Sequence, residues 1–393
     1  MSTIAPLTRP PTEFFGDGQL WEGVRSLSLA ASSQDAEEVQ NAQVVQDAED
    51  ETFEHANKII SEYLKANVPI FDRLCDLRKR GWENPAGDTY FKKQQQKADK
   101  AGEKISKIFY GIMKTIGGEM HAATRAFEIE ADDGAPRILD MCMAPGGFLA
   151  TALSKNPGAA AVGFSLSKSH GGHQTRVPLS DKVRVRYLDI TMLAEDLGLA
   201  DRIPADHPDR DNFLPRQLGE QEDFHLVLSD RQVLRTHARP AYREHCEARR
   251  LTLTQLALGL SHLRPGGTLV ALLHRVESWN CVQLLQDFSQ IADVQLFKPA
   301  RSHAKRSSFY MVARNVRSRS PEALAAAARW KKGWEAATFR LGEQEWEEFR
   351  RGEPDPHEVL REFGEELVRL GSGVWEIQAN ALDRAPWTRT GGA

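Results

Sequence analysis

The sequence predicts an α/β protein, a mostly parallel sheet with helices on both faces. Short apolar runs alternate with stretches of helical period from Ala135 to about Val316. Several of those runs end on an acid or a serine, as strands do where a ligand crevice opens at the carboxyl edge of a sheet. The first run, Ile138-Leu139-Asp140, passes through Met141-Cys142-Met143-Ala144-Pro145 into Gly146-Gly147 and a helix start at Phe148. Glycines there let a backbone approach a ligand, and the free amides of a helix start favour anionic groups. The turn lacks the Gly-x-Gly-x-x-Gly spacing of a pyrophosphate-binding dehydrogenase.

Taken in order, residues 1–52 mix Pro, Ser, Gln and acids and predict a mobile or weakly structured segment. A helical region, 53–130, follows. Apolar positions recur at helical spacing from Phe53 to Leu77, and a basic helix is predicted from about Thr89 to Thr115. The sheet domain is expected over 131–317. Its strands are predicted at Arg137–Asp140, Ala159–Phe164, Val183–Leu188, Phe224–Leu228, Thr268–Leu273, Val294–Phe297 and Phe309–Ala313. Helices are predicted at Gly147–Ser154, Leu193–Leu197, Arg249–Leu263 and Val282–Phe288, with a charged insertion over 198–222. The last two strands are close in sequence and fit an antiparallel hairpin. Residues 318–393 form a helical extension, with helices expected at Pro321–Thr338, near Glu343–Arg351 and near Asp355–Leu370.

Composition excludes several classes. The 393 residues are 41% hydrophobic and 27% charged, ordinary for a globular protein, and no run is long enough to span a membrane. The amino terminus lacks a secretory pattern, and four scattered cysteines match no zinc spacing, so an intracellular, reducing setting is expected. Neither Cys142 nor Cys281 has a histidine at nucleophile spacing. The net charge of −4 conceals asymmetry: Gln34–Glu54 has eight acids and no Lys or Arg, whereas Lys298–Ser320 has seven Lys or Arg and no acid. Such a basic stretch suits nucleic acid. Lys298, Arg301, Lys305 and Arg306 are the candidate phosphate contacts.

Asp140, Ser165, Asp189 and Asp230 stand at successive strand ends, where acids would face a cation or hydrogen-bond donors. With Ala144, Pro145, Gly146, Gly147 and Phe148 they make a corner suited to S-adenosylmethionine, which offers an amino group, a sulfonium and an adenine amine.

Asp140-Met-Cys-Met-Ala-Pro-Gly-Gly-Phe148 resembles the first motif of the FtsJ-like (RrmJ-type) ribose 2′-O-methyltransferases. Tyr187-Leu-Asp-Ile-Thr191 is similar to their adenine-contacting strand end, and Leu226-Val-Leu-Ser-Asp230 to the strand carrying their catalytic aspartate. Leu263–Val270 and Phe297–Tyr310 resemble the closing half of that domain, so the likeness covers about 120–316 and is nearest a divergent fungal branch. It implies a Rossmann-like, seven-stranded methyltransferase sheet with helical extensions, S-adenosyl-L-methionine as cofactor and an RNA ribose as substrate. The family's Lys-Asp-Lys-Glu tetrad is not intact. Asp230 is in place, Leu272 and Ser308 stand where the second lysine and the glutamate should be, and the first lysine should fall within Met120–Glu128.

The sequence therefore leaves an active methyltransferase with an altered base, a catalytically silent fold that binds cofactor, RNA or a partner, or transfer to another acceptor. His274 shares a strand face with Leu272, two residues nearer the ligand end, and is the candidate base, oriented by Asp230. Arg275 or Lys114 would steer phosphate.

Overall fold

Side chains alternate between the two faces of a sheet, so a strand buried along its whole length, as Phe224–Ser229 is, is covered on both sides. The computed structural model describes residues 53–86, 89, 103–130, 134–230, 240–339 and 352–388. Its strands are β1 (Arg137–Asp140), β2 (Ala160–Ser165), β3 (Val183–Tyr187), β4 (Phe224–Ser229), β5 (Leu263–His274), β6 (Asp293–Phe297) and β7 (Ser308–Val316). They form one sheet in the order β3-β2-β1-β4-β5-β7-β6. The first five are parallel, and β7 runs antiparallel between β5 and β6. Strand order reverses between β1 and β4, which opens a crevice beyond their carboxyl ends.

The helices are α1 (53–67), α2 (Pro69–Trp82), α3 (Glu103–Thr124), α4 (Gly147–Lys155), α5 (Glu247–Ser261), α6 (Trp279–Ile291), α7 (Pro321–Phe339) and α8 (Pro356–Asp383). One face of the sheet carries Ile138, Leu226, Leu228, Val270, Tyr310 and Val312, covered by α3 and α4. The other carries Leu139, Val227, Leu269, Ala271, Phe309 and Met311, in one core with residues of α1, α2 and α5–α8. Phe71 of α2 meets Trp375 of α8 edge-on at 5.2 Å, so the two helical extensions pack on each other as well as on the sheet. None of the described helices is long and apolar enough to cross a membrane.

Several boundaries differ from the sequence expectation. The described part of the basic helix ends at Thr124, not Thr115, because its glycines serve packing: a Cβ on Gly117 would lie 2.9 Å from Thr151 Oγ1 of α4. β5 is longer than its apolar run, since Arg264-Pro265-Gly266-Gly267 joins the strand through a register shift. In place of a helix at Leu193–Leu197 there is a short 3-10 turn at Ile190–Met192. α8 runs on past Leu370 because Gly371 leaves room for the Trp375 ring, whose Cη2 would lie 2.5 Å from a Cβ there. The amino-terminal segment 1–52, residues 90–102 and the helix expected near Glu343–Arg351 lie outside the described residues.

Candidate active site

The site is built at the switch point, where β1 ends on Asp140 and β4 leads into Asp230. Asp140 is only 3% exposed, and the Cys142 N–H donates to its Oδ1 at 3.3 Å. Burial and then the neighbouring Asp230 charge push the Asp140 carboxyl up to about 8. Burial pushes Asp230 up to about 7. Two carboxyls on adjacent strands that each resist ionisation are a ready site for a cation, which would stabilise both charges at once. A sulfonium and an ammonium meet that requirement, so the acid pair fits S-adenosylmethionine.

Beside the acids, a cis Ala144–Pro145 bond leads to Gly146 with φ of 95°, the N-cap of α4. The glycines have protein neighbours as well as a place beside the crevice. A Cβ on Gly146 would lie 2.4 Å from Val177 Cγ2, and one on Gly147 would lie 2.4 Å from Met113 Cβ and 2.8 Å from the Tyr110 carbonyl of α3. The Arg176 N–H donates to Pro145 O at 3.0 Å and its Nε to Ser106 Oγ at 2.9 Å, tying the loop after β2 to the turn and to α3. Below the turn, Gln255 Nε2 donates to Cys142 Sγ at 2.8 Å while Ser229 Oγ donates to Gln255 Oε1 at 2.6 Å.

Not every expected contact faces the crevice. The Phe148 ring is buried and meets Tyr310 edge-on at 5.3 Å. Ser165 is also buried, at the end of β2. Asp189 was expected to face a cation or donors of a ligand. Its Oδ1 instead accepts from the Thr191 N–H at 3.0 Å and hydroxyl at 2.7 Å, and Oδ2 lies 3.4 Å from the Arg243 guanidinium. Arg243 is itself buried beside Asp209 and Glu247, so Asp189 belongs to a protein charge cluster that the sequence did not reveal.

The positions expected for the second lysine and the glutamate lie close together in the register. Leu272 of β5 faces Tyr310 of β7, and His274 faces Ser308. Alternation puts all four on the sheet face shared with Leu228 and, one step on, Asp230. Where the family pattern has a lysine, the row runs Asp230, Leu272, Tyr310. Tyr310 is 6% exposed, and burial followed by the Asp230 charge raises its phenol well above the ordinary range, so it keeps its proton. His274 is exposed at the strand end, one residue pair further out.

The first lysine was expected within Met120–Glu128, which has no lysine. Asn156, just past the far end of α4, donates to Phe127 O at 2.7 Å, which puts 120–128 at the end of the sheet opposite the crevice. On α3, Tyr110, Met113 and Lys114 lie against the Gly147 turn; the Lys114 N would lie 3.0 Å from a Cβ there, and its exposed Nζ lies 5.7 Å from the Tyr110 ring centroid.

The β6–β7 loop is at the crevice end, and one of its four candidate cations is corrected. Lys298 is 3% exposed; its Nζ donates to Arg306 O at 2.6 Å and Ser308 O at 2.8 Å. Burial, then Arg78 and Arg306, lower its ammonium to about 7. Lys298 thus closes the loop from inside and does not face outward. Arg301 is exposed, Arg306 is half-buried, and Lys305 Nζ lies 4.7 Å from the Trp387 ring centroid.

Residues 119–316 match the model of a family described as FtsJ-like methyltransferase. No curated protein matches the chain at a significant level. Among solved structures, an rRNA methylase from Streptococcus thermophilus is 14% identical, covering 50% of this chain and 96% of its own, with a TM-score of 0.30. An O-methyltransferase family protein from Burkholderia thailandensis is 11% identical, with 63% and 72% covered and a TM-score of 0.31. Human methyltransferase-like protein 13 in complex with SAH is 13% identical, with 60% and 93% covered and a TM-score of 0.28. Similarity this distant carries no argument about substrate.

Proposed function

The chain belongs to the FtsJ-like methyltransferase family, and we propose that within it the protein methylates the 2′-hydroxyl of an RNA ribose. Membership brings the family's cofactor, S-adenosylmethionine, which supplies an electrophilic methyl group. The observation that supports cofactor binding is buried Asp140 beside half-buried Asp230 at the switch point, both carboxyls raised. The cofactor-binding corner is then Asp140, Ala144, Pro145, Gly146, Gly147, Phe148, Ser165, Asp189 and Asp230. Phe148 and Asp189 act there through the turn and strand end that they hold in place.

With leucine at 272, the hydroxyl proton needs another acceptor. Asp230 and His274 are the candidates, on one face of neighbouring strands. Burial raises the Asp230 carboxyl toward the range where proton transfer at neutral pH is efficient, and the cofactor's cation draws it back down. Asp230 either takes the proton itself or orients His274 to do so. Arg301, Lys305 and Arg306 at the crevice end, with Lys114 across it, provide positive charge for an RNA backbone.

A binding-only role is favoured by one observation: the apolar floor of Leu272, Tyr310 and Phe148 next to Asp230, where among the described residues no ammonium stands at the position the family resemblance expects. Methyl transfer from labelled S-adenosylmethionine to total RNA, followed by nucleoside analysis, tests the proposal. Label in 2′-O-methyl nucleosides supports it. Cofactor binding without transfer moves the function to the binding-only reading.

A further inference from the structure

The helical extensions are joined to the crevice by a buried polar chain rather than by apolar packing alone. Its centre is Glu277, 4% exposed, three residues beyond the end of β5. Arg78 of α2 reaches Glu277 Oε1 at 2.6 Å, Arg275 Nε lies 3.3 Å from the same oxygen, and Trp375 of α8 donates to Oε2 at 3.3 Å. Arg78 also donates to Gln378 Oε1 at 2.8 Å. Gln378, itself buried in α8, donates through Nε2 to Lys305 O at 3.3 Å. One carboxylate and one amide thus connect both extensions to the end of β5 and to the β6–β7 loop.

A second tie runs beside it. Trp387, just beyond α8, holds the Lys305 ammonium over its ring and accepts a hydrogen bond at its carbonyl from Asn84 Nδ2 at 2.9 Å. The loop is closed inside by Lys298, and the Arg275 N–H donates to Ser307 O at 3.2 Å. Arg275 and His303 both adopt left-handed backbone, with φ of 54° and 60°. A non-glycine residue keeps that conformation only where its surroundings hold it. One end of the brace acts on Arg275, just past the last β5–β7 ladder pair, and the other on Lys305 in the loop.

We infer that Gln378, Glu277 and Arg78 are positioning residues that fix the β6–β7 loop and the His274–Arg275 strand end at the crevice, making the two helical extensions part of the platform for RNA phosphate. This rests on the RNA reading above. The loop then meets phosphate already ordered, and little binding energy goes to shaping it.

Gln378→Glu separates the two halves of the brace, because a carboxylate still accepts from Arg78 but cannot donate to Lys305 O. In the full chain, hydrogen exchange read by mass spectrometry should quicken in 298–307 and not in β1 or β4. Affinity for a single-stranded RNA oligonucleotide should fall about five- to tenfold, the loss expected for a buried hydrogen bond and its ordering, with S-adenosylmethionine affinity unchanged. Gln378→Met, which breaks both links, should show the same loop effect and a larger one in α2. Unchanged exchange in 298–307 in both variants would overturn the inference, as would equal loss of cofactor and RNA affinity with a lowered melting temperature. If the wild type binds no RNA, the RNA reading falls, and the exchange pattern still decides whether the brace fixes the loop.

Discussion

Replacing Glu277 with glutamine should weaken the fold by an amount that depends on pH. Burial alone would raise this carboxyl, but Arg78 and Arg275 outweigh it and hold it down at about 2, against an ordinary 4.5. At about 1.36 kcal/mol per unit, that difference is worth roughly 3 kcal/mol. The sign follows from the depressed value. The stabilisation is fully present above about pH 4.5 and is lost as pH falls toward 2, where the wild-type carboxyl takes up its proton and comes to resemble the amide. At neutral pH the variant also leaves the Arg78 guanidinium buried without its anion, so a loss of about 3–5 kcal/mol is expected. Asp140 and Asp230, whose raised values oppose folding at neutral pH, are common to both proteins and cancel. Urea unfolding followed by tryptophan fluorescence, at neutral pH and in steps down to about pH 3, measures the gap. A gap of similar size at both ends of that range would refute the ion-pair account.

Three other outcomes are expected. If Asp230 accepts the proton, methyl transfer should fall as pH drops, with a midpoint below about 7 because the cofactor's cation stabilises the carboxylate, and Asp230→Asn should abolish it; if His274 is the base, His274→Ala should do so, and full activity in that variant removes the histidine. Gly147→Val should cost at least about 1–3 kcal/mol, because the new side chain meets α3 backbone at 2.8 Å; thermal unfolding checks this, and a stable variant that merely loses cofactor would assign the glycine to the ligand instead. Neutralising Arg301 and Arg306 together should weaken RNA binding across sequences and flatten its salt dependence by about two units of slope, whereas an unchanged slope in a salt titration would place the phosphate path elsewhere.

The strand cores and their ends were legible because apolar period and terminal acids are local in the chain. Asp140 and Asp230 meet because β1 and β4 are neighbours, and the motif order anticipates that. What the sequence conceals is the partner of each polar group. Lys298 reads as an outward cation, yet a loop that folds back offers it two carbonyls and turns it inward. Asp189 reads as a ligand contact, yet Arg243, far along the chain, lies against it. Glu277 gives no signal at all in sequence, since Arg78 and Trp375 reach it only after both extensions have docked. Trp375 and the other tail tryptophans do announce that the tail packs on something, and the Trp375 ring meets Phe71 edge-on.

Leu272, His274, Ser308 and Tyr310 occupy the corners of one cross-strand square on a single sheet face. Opposite corners of such a square lie within reach of long side chains. A lysine at 272 and a glutamate at 308 would therefore be diagonal neighbours beside Asp230, with no backbone change required to bring them together. The double substitution Leu272→Lys, Ser308→Glu would place the two charges expected from the family resemblance on one face of this square.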